Sequence, residues 1–89
     1  MNLKIGKYMS LVELTEYLVK NLVTDPERVS VKQIDDSDET ILIEVIVNND
    51  DMGLVIGKSG KIANSIRTIV QAASYVKDNK KIKINIDSI

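Results

Sequence analysis

Two glycines three residues apart, Gly57 and Gly60, stand between stretches of helical character, and few features constrain a short chain more. Upstream, Asn49, Asp50 and Asp51 supply an N-cap and first-turn acids for a short helix over residues 51–56. Leu54, Val55 and Ile56 within it read as a buried turn. Downstream, Ile62, Ile66, Ile69, Val70, Ala73 and Val76 fall on one helical face, and Lys61, Asn64, Ser65, Arg67, Thr68 and Gln71 on the other. The chain must therefore change direction within Gly57-Lys58-Ser59-Gly60. Glycine permits such a bend and lets another backbone approach without a Cβ in the way. Amides at the start of the following helix point at whatever sits there, and its dipole favours negative charge. With Lys58 and Lys61 within one turn, these parts suit a sugar-phosphate backbone.

The remaining elements follow from spacing. Ser10-Leu11-Val12-Glu13 is a capping box opening a helix whose stripe is Leu11, Leu14, Leu18, Val19 and Leu22. Thr24-Asp25-Pro26 stops it, because the residue before proline is pushed out of the α region. β-Branched runs at 29–34 and 41–47 form a hairpin around the acidic loop 35–39. That loop is not a calcium site: counted from Asp35, the glycine and glutamate positions of an EF-hand are Thr40 and Ile46. A basic loop, Val76-Lys77-Asp78-Asn79-Lys80, leads into strict alternation over 81–87, with Ile82, Ile84 and Ile86 inward. The order helix, strand, strand, short helix, long helix, strand predicts an α+β fold. The last strand returns parallel through a right-handed two-helix crossover, and three helices cover one face of a three-stranded mixed sheet.

Composition narrows the function. At 89 residues, 44% apolar and 28% charged, one domain spanning 1–89 is expected. With no cysteine and no histidine, there is no thiol nucleophile, imidazole base or zinc ribbon, and neither metal nor cofactor is expected. A P-loop needs four residues between its first glycine and the glycine-lysine-serine, whereas Gly53 to Gly57 leaves three, all bulky and apolar. A non-catalytic binding module is the better reading. No stretch is long enough to span a membrane, and the N-terminal lysines precede no apolar signal core, so a cytoplasmic location is expected. The net charge of −1 hides an asymmetry: residues 1–50 carry five basic against ten acidic side chains, residues 51–89 seven against three. Such a split points to a basic face for a polyanion.

Val55-Ile56-Gly57-Lys58-Ser59-Gly60-Lys61-Ile62 resembles the core of a KH domain: short helix, Gly-x-x-Gly loop, longer helix. The element order matches the type II arrangement, and the likeness continues through Ala63, Ile66, Arg67, Thr68 and Ala72-Ala73. At this length the chain is similar to the small bacterial single-KH proteins of the KhpA type. Many KH domains carry a large aliphatic residue where this chain has Ala63, with Ile62 one position earlier, a trait the small-KH group shares.

The resemblance implies a groove for about four unpaired nucleotides of single-stranded RNA. It would be held by Gly57, Lys58, Ser59, Gly60 and Lys61, with Ile56, Ile62 and Ile66 as its apolar floor or support. Lys81 and Lys83 are expected on the opposite wall, and Arg67 in a nucleic-acid contact or a structural ion pair. It further implies an RNA chaperone or post-transcriptional regulator that pairs with itself or with a larger KH-containing partner of the KhpB type. With no Phe or Trp, and only Tyr8, Tyr17 and Tyr75, base stacking cannot dominate as it does on aromatic RNA-binding surfaces. A protein–protein adaptor on the same scaffold is the alternative.

Overall fold

The computed structural model describes residues 9–89; the N-terminal lysines and Tyr8 lie outside the described residues. Helix α1 (Leu11–Lys20) opens on the expected capping box. Ser10 Oγ accepts from the Glu13 N–H at 3.0 Å, and Glu13 Oε1 accepts from the Ser10 N–H at 3.3 Å. It ends at Lys20, two residues short of Leu22, on the C-cap Asn21, whose side-chain amide donates to the Tyr17 carbonyl at 2.7 Å. The stop is therefore this C-terminal cap, and Pro26 instead opens a separate short 3-10 turn, Pro26–Arg28.

Strands β1 (Ser30–Asp36) and β2 (Thr40–Val47) pair antiparallel, and the connecting loop is shorter than the acidic run suggested. Ser37 closes it, its N–H donating to the Thr40 carbonyl and its Oγ accepting from the Thr40 N–H. A bulge between Gln33 and Asp35 breaks the register, which leaves Ile34 unpaired and exposed. After helices α2 (Met52–Ile56) and α3 (Lys61–Lys77), strand β3 (Lys81–Ser88) pairs parallel to β2, giving the sheet order β1-β2-β3.

Alternation on the middle strand decides where the core sits. Ile41, Ile43, Val45 and Val47 are all buried on one face of β2. They join Leu11, Leu14 and Val19 of α1, Val55 of α2, Ile66, Val70 and Ala73 of α3, and Ile84 of β3 in one cluster. Burying a side chain of this size contributes about 1.5–3 kcal/mol relative to leaving it exposed. The α3 stripe is narrower than its sequence pattern: Ile69 is 42% exposed and Val76 82% exposed. Leu54, read as buried, is exposed as well, so only Val55 anchors α2 in the core.

Candidate nucleic-acid interface

The turn between α2 and α3 depends on positive φ angles. The Gly57 N–H donates to the Gly53 carbonyl at 2.9 Å and closes α2; Gly57 itself then adopts φ 74°, ψ 175°. That region is essentially glycine-only. A second reason for glycine lies beside it, because a Cβ at this position would sit 2.6 Å from Ile62 Cγ1. Ile62, one residue before Ala63, thus fills the space under the loop, which gives that sequence trait its physical meaning. Ser59 (φ 57°) and Gly60 (φ 74°) are left-handed too, but a Cβ on Gly60 would meet nothing within 4 Å. The Gly60 N–H donates to the Gly57 carbonyl at 3.2 Å, holding Lys58 and Ser59 out in solvent. No side chain caps the N-terminus of α3; the Lys61 N–H donates back to the Lys58 carbonyl within the turn.

Of the residues singled out from sequence, Ile56, Gly57, Lys58, Ser59, Gly60 and Lys61 come together in this one turn, with Ile56 half-buried at the end of α2. Ile62 and Ile66 face the hollow between α1 and α3, beside Leu18 and Leu22, so they support the loop from beneath. Of the two roles expected of Arg67, the ion pair does not form among the described residues. Its Nε and Nη2 donate to the Ile84 carbonyl at 3.3 and 3.2 Å, and Nη1 to Asn64 Oδ1 at 3.2 Å. Neither acceptor is an acid, so the guanidinium fastens α3 to the edge of β3 while its positive charge stays uncompensated.

Between α3 and β3 lies a hollow of about 460 Å³ lined by Arg67, Thr68, Gln71, Ala72, Tyr75 and Ile82. Gln71 bridges its far wall: Oε1 accepts from the Ile82 N–H and Nε2 donates to the Lys80 carbonyl, both at 2.9 Å. Lys81 and Lys83 alternate with the inward isoleucines and leave the sheet on its other face, so they stand on the rim, not on the opposite wall. They share a depression with Asp38 and Glu39 of the hairpin tip, and the Lys81 N–H donates to the Glu39 carbonyl. Folding thus places part of the basic half of the sequence beside the acidic half. Lys58, Lys61 and Arg67 are the cations left along the loop and groove. Among the described residues, no three His, Cys, Asp or Glu side chains converge as a metal site.

A sequence model of the KhpA/KhpB KH domain matches residues 12–86. The chain belongs to that family. The RNA-binding protein KhpA of Clostridium perfringens is 47% identical over 74 residues, covering 83% of this chain and 96% of the relative. The RNA-binding protein KhpA of Borreliella burgdorferi is 36% identical over 80 residues, covering 90% and 95%. Among solved structures, Aquifex aeolicus Era bound to GDP and aluminium fluoride aligns with a TM-score of 0.69 at 15% identity, covering 89% of this chain and 30% of that one. Era in complex with MgGDPNP and nucleotides 1506–1542 of 16S ribosomal RNA aligns at 0.65 and 17% identity, covering 88% and 29%. At those identities the likeness to Era concerns the fold alone.

Two structural elements beside the turn of this KhpA/KhpB-family chain escape its sequence motif. The Arg67, Gln71, Tyr75 row falls at i, i+4 and i+8 on the polar face of α3, a spacing visible in the sequence. What it packs against becomes clear only once β3 is placed. Asp51 lies in the first turn, as read, but it is also buried, and the N-cap of that turn is Asn48. Its carboxylate accepts from the Thr24 hydroxyl at 2.7 Å and from the Thr24 and Asp25 N–H groups at 3.2 and 3.1 Å. The Thr24 hydroxyl above all holds the Asp51 carboxyl below its ordinary value; burial pushes the other way and the two backbone N–H groups add to the lowering. This clasp ties the segment after α1 to the start of α2 and fixes the entry to the glycine turn.

Proposed function

We propose that this chain is a non-catalytic module that binds single-stranded RNA, gripping about four nucleotides at the Gly57–Gly60 turn. The observation that carries the reading is the turn itself: two positive-φ glycines hold Lys58 and Ser59 in solvent ahead of an uncapped 17-residue helix. Donors and cations converge there, and a phosphate backbone supplies the matching acceptors. Kinship with proteins named for RNA binding supports the same reading. Gly57, Lys58, Ser59, Gly60 and Lys61 form the clamp, Ile56 supports it, and Arg67 extends its positive charge into the groove.

The test replaces Lys58 and Ser59 together by aspartate. Both side chains are exposed, so circular dichroism should be unchanged, while affinity for a short unstructured RNA falls at least tenfold (about 1.4 kcal/mol). Wild-type affinity should weaken as salt rises, and duplex of equal length should compete poorly, because an A-form helix cannot enter a groove sized for one strand. A folded double variant that binds RNA at wild-type strength removes the site assignment.

The wider role that fits is an RNA chaperone or post-transcriptional regulator in the cytoplasm, with all 89 residues acting as one KH unit. Self-association, or pairing with a larger KhpB-type partner, would place two weak grooves in one particle and raise the effective concentration of the second. Both sheet edges are poorly suited to this, since β1 carries a bulge and Arg67 and Gln71 occupy part of the outer edge of β3. The helical side, with exposed Ile69 and Tyr17 on the α1/α3 hollow, fits better. Sedimentation at tens of micromolar should show a dimer that Ile69→Glu shifts to monomer.

A further inference from the structure

We propose that Tyr75 is a stacking platform for an RNA base beyond the four-nucleotide clamp, so that the bound strand runs the length of α3; this rests on the RNA reading above. Three observations lead there. First, Asn64, Arg67, Gln71 and Tyr75 follow Gly60 at spacings of four, three, four and four, which places them on one face of α3. That face runs about 22 Å from the glycine turn to Tyr75. Second, Tyr75 is 53% exposed and belongs neither to the core nor to the residues packed against it. An aromatic ring left half in water on a groove wall has a free surface, and every base offers a matching π-face.

Third, Tyr75 lines two hollows at once. One is the groove it shares with Arg67 and Ile82, and the other is the depression of about 550 Å³ beyond it, which holds Asn79, Lys81, Lys83 and the acids of the hairpin tip. A path meant only for phosphate would be lined by cations. This depression mixes the donors Asn79, Lys81 and Lys83 with the acceptors Asp38 and Glu39. Such a mixture suits the edge of a base, which carries both donors and acceptors. The ring therefore holds the base by its face, and the depression meets its edge. Because Gln71 and Arg67 already satisfy the Ile82 N–H and the Ile84 carbonyl, the strand edge itself offers these two groups to no ligand.

The experiment compares unstructured oligoribonucleotides of four and eight nucleotides on the full chain and on Tyr75→Ala and Tyr75→Phe. Wild type should bind the octamer more tightly. Tyr75→Ala should lose about tenfold on the octamer with the tetramer unmoved, and Tyr75→Phe, which keeps the ring, should stay within twofold of wild type. With Tyr8→Phe and Tyr17→Phe in place, Tyr75 is the remaining tyrosine and the chain has no Trp. Its fluorescence should be quenched by the octamer and not by the tetramer. Octamer binding unaffected by Tyr75→Ala, equal losses on both lengths, or an equal loss in Tyr75→Phe overturns the platform while leaving RNA binding intact. If neither oligonucleotide binds wild type, and Lys58→Asp/Ser59→Asp changes nothing, the RNA reading fails with it.

Discussion

The two ends of α3 solve the same problem in opposite ways. Each must reverse the chain, and each uses a non-glycine residue in the left-handed region, Ser59 at one end and Asn79 at the other. At the C-terminal end the protein satisfies its own backbone. The N–H groups of Asp78 and Asn79 both donate to the Ser74 carbonyl at 2.7 Å, and the Ser74 hydroxyl and Gln71 amide both donate to the Lys80 carbonyl. At the N-terminal end the turn is held by glycine geometry and short backbone bonds, with no side-chain cap. One reversal is closed by side chains as well as backbone; the other has backbone bonds alone and leaves its helix without a side-chain cap.

The largest effect should come from the end that relies on glycine. Gly57→Ala must accept a glycine-only conformation and also displace Ile62, against which its Cβ would lie at 2.6 Å. We expect a loss of about 3 kcal/mol in urea unfolding, from strain of about 1–3 kcal/mol plus overpacking of similar size. Gly60→Ala meets the strain without the clash and should lose only about 1 kcal/mol. The pair sharpens the comparison, since the space over Gly60 is open in the protein. An RNA affinity for Gly60→Ala that falls further than its stability would mean that the empty space belongs to the ligand. Equal stability losses for the two glycines would break the argument that Ile62 is what Gly57 accommodates.

Next comes the clasp that holds the entry to this turn. The folded-state pKa of Asp51 is lowered from an ordinary value of 3.8, so its ionised form stabilises the fold above that value. That contribution is lost as pH falls below about 4 toward the lowered folded value. Asp51→Asn should be less stable at neutral pH, where the three charge-assisted bonds that the carboxylate accepts are weakened or lost. Its stability should also fall less steeply between pH 5 and 3 than that of wild type. Parallel acid limbs for the two proteins would show that Asp51 is not the group responsible.

What the sequence made legible divides along the same line. Local rules read the capping box, the glycine turn, the strand alternation and the element order, because each depends on neighbours within four residues. The turn that gathers residues 56–61 is readable for that reason. Several readings that the structure changes depend on partners far along the chain. Asp51 reads from sequence as a first-turn acid, and its burial shows only once Thr24, 27 positions away, is placed against it. For Arg67 the ion pair is one of two alternatives, and its acceptor is the carbonyl of Ile84, 17 residues later. The charge asymmetry suggested a basic face, but the hairpin that brings Glu39 to Lys81 is a tertiary event that no charge count contains. Ile69 and Val76 kept helical spacing yet lie past the width of the sheet-facing stripe, which depends on how α3 packs.

The smallest effect should come from the self-satisfied end, and its size is itself informative. Ser74→Ala removes the 2.7 Å bond from a buried hydroxyl to the Lys80 carbonyl, yet the Gln71 amide still donates to that same oxygen at 2.9 Å. A carbonyl with one donor left is not orphaned, so the loss should be about 0.5–1 kcal/mol, the net worth of a single bond. Gln71→Ala alone should cost somewhat more, because it also strands the Ile82 N–H. The double variant leaves the carbonyl without either donor, and its loss should exceed the sum of the singles by about 1 kcal/mol. Urea unfolding of the four proteins measures this coupling. Ser74→Ala should also leave affinity for a four-nucleotide RNA unchanged, since the bond closes the turn remote from the clamp. Simple additivity would mean that the two donors do not substitute for each other, and the contrast between a closed reversal and an open one would lose its energetic basis.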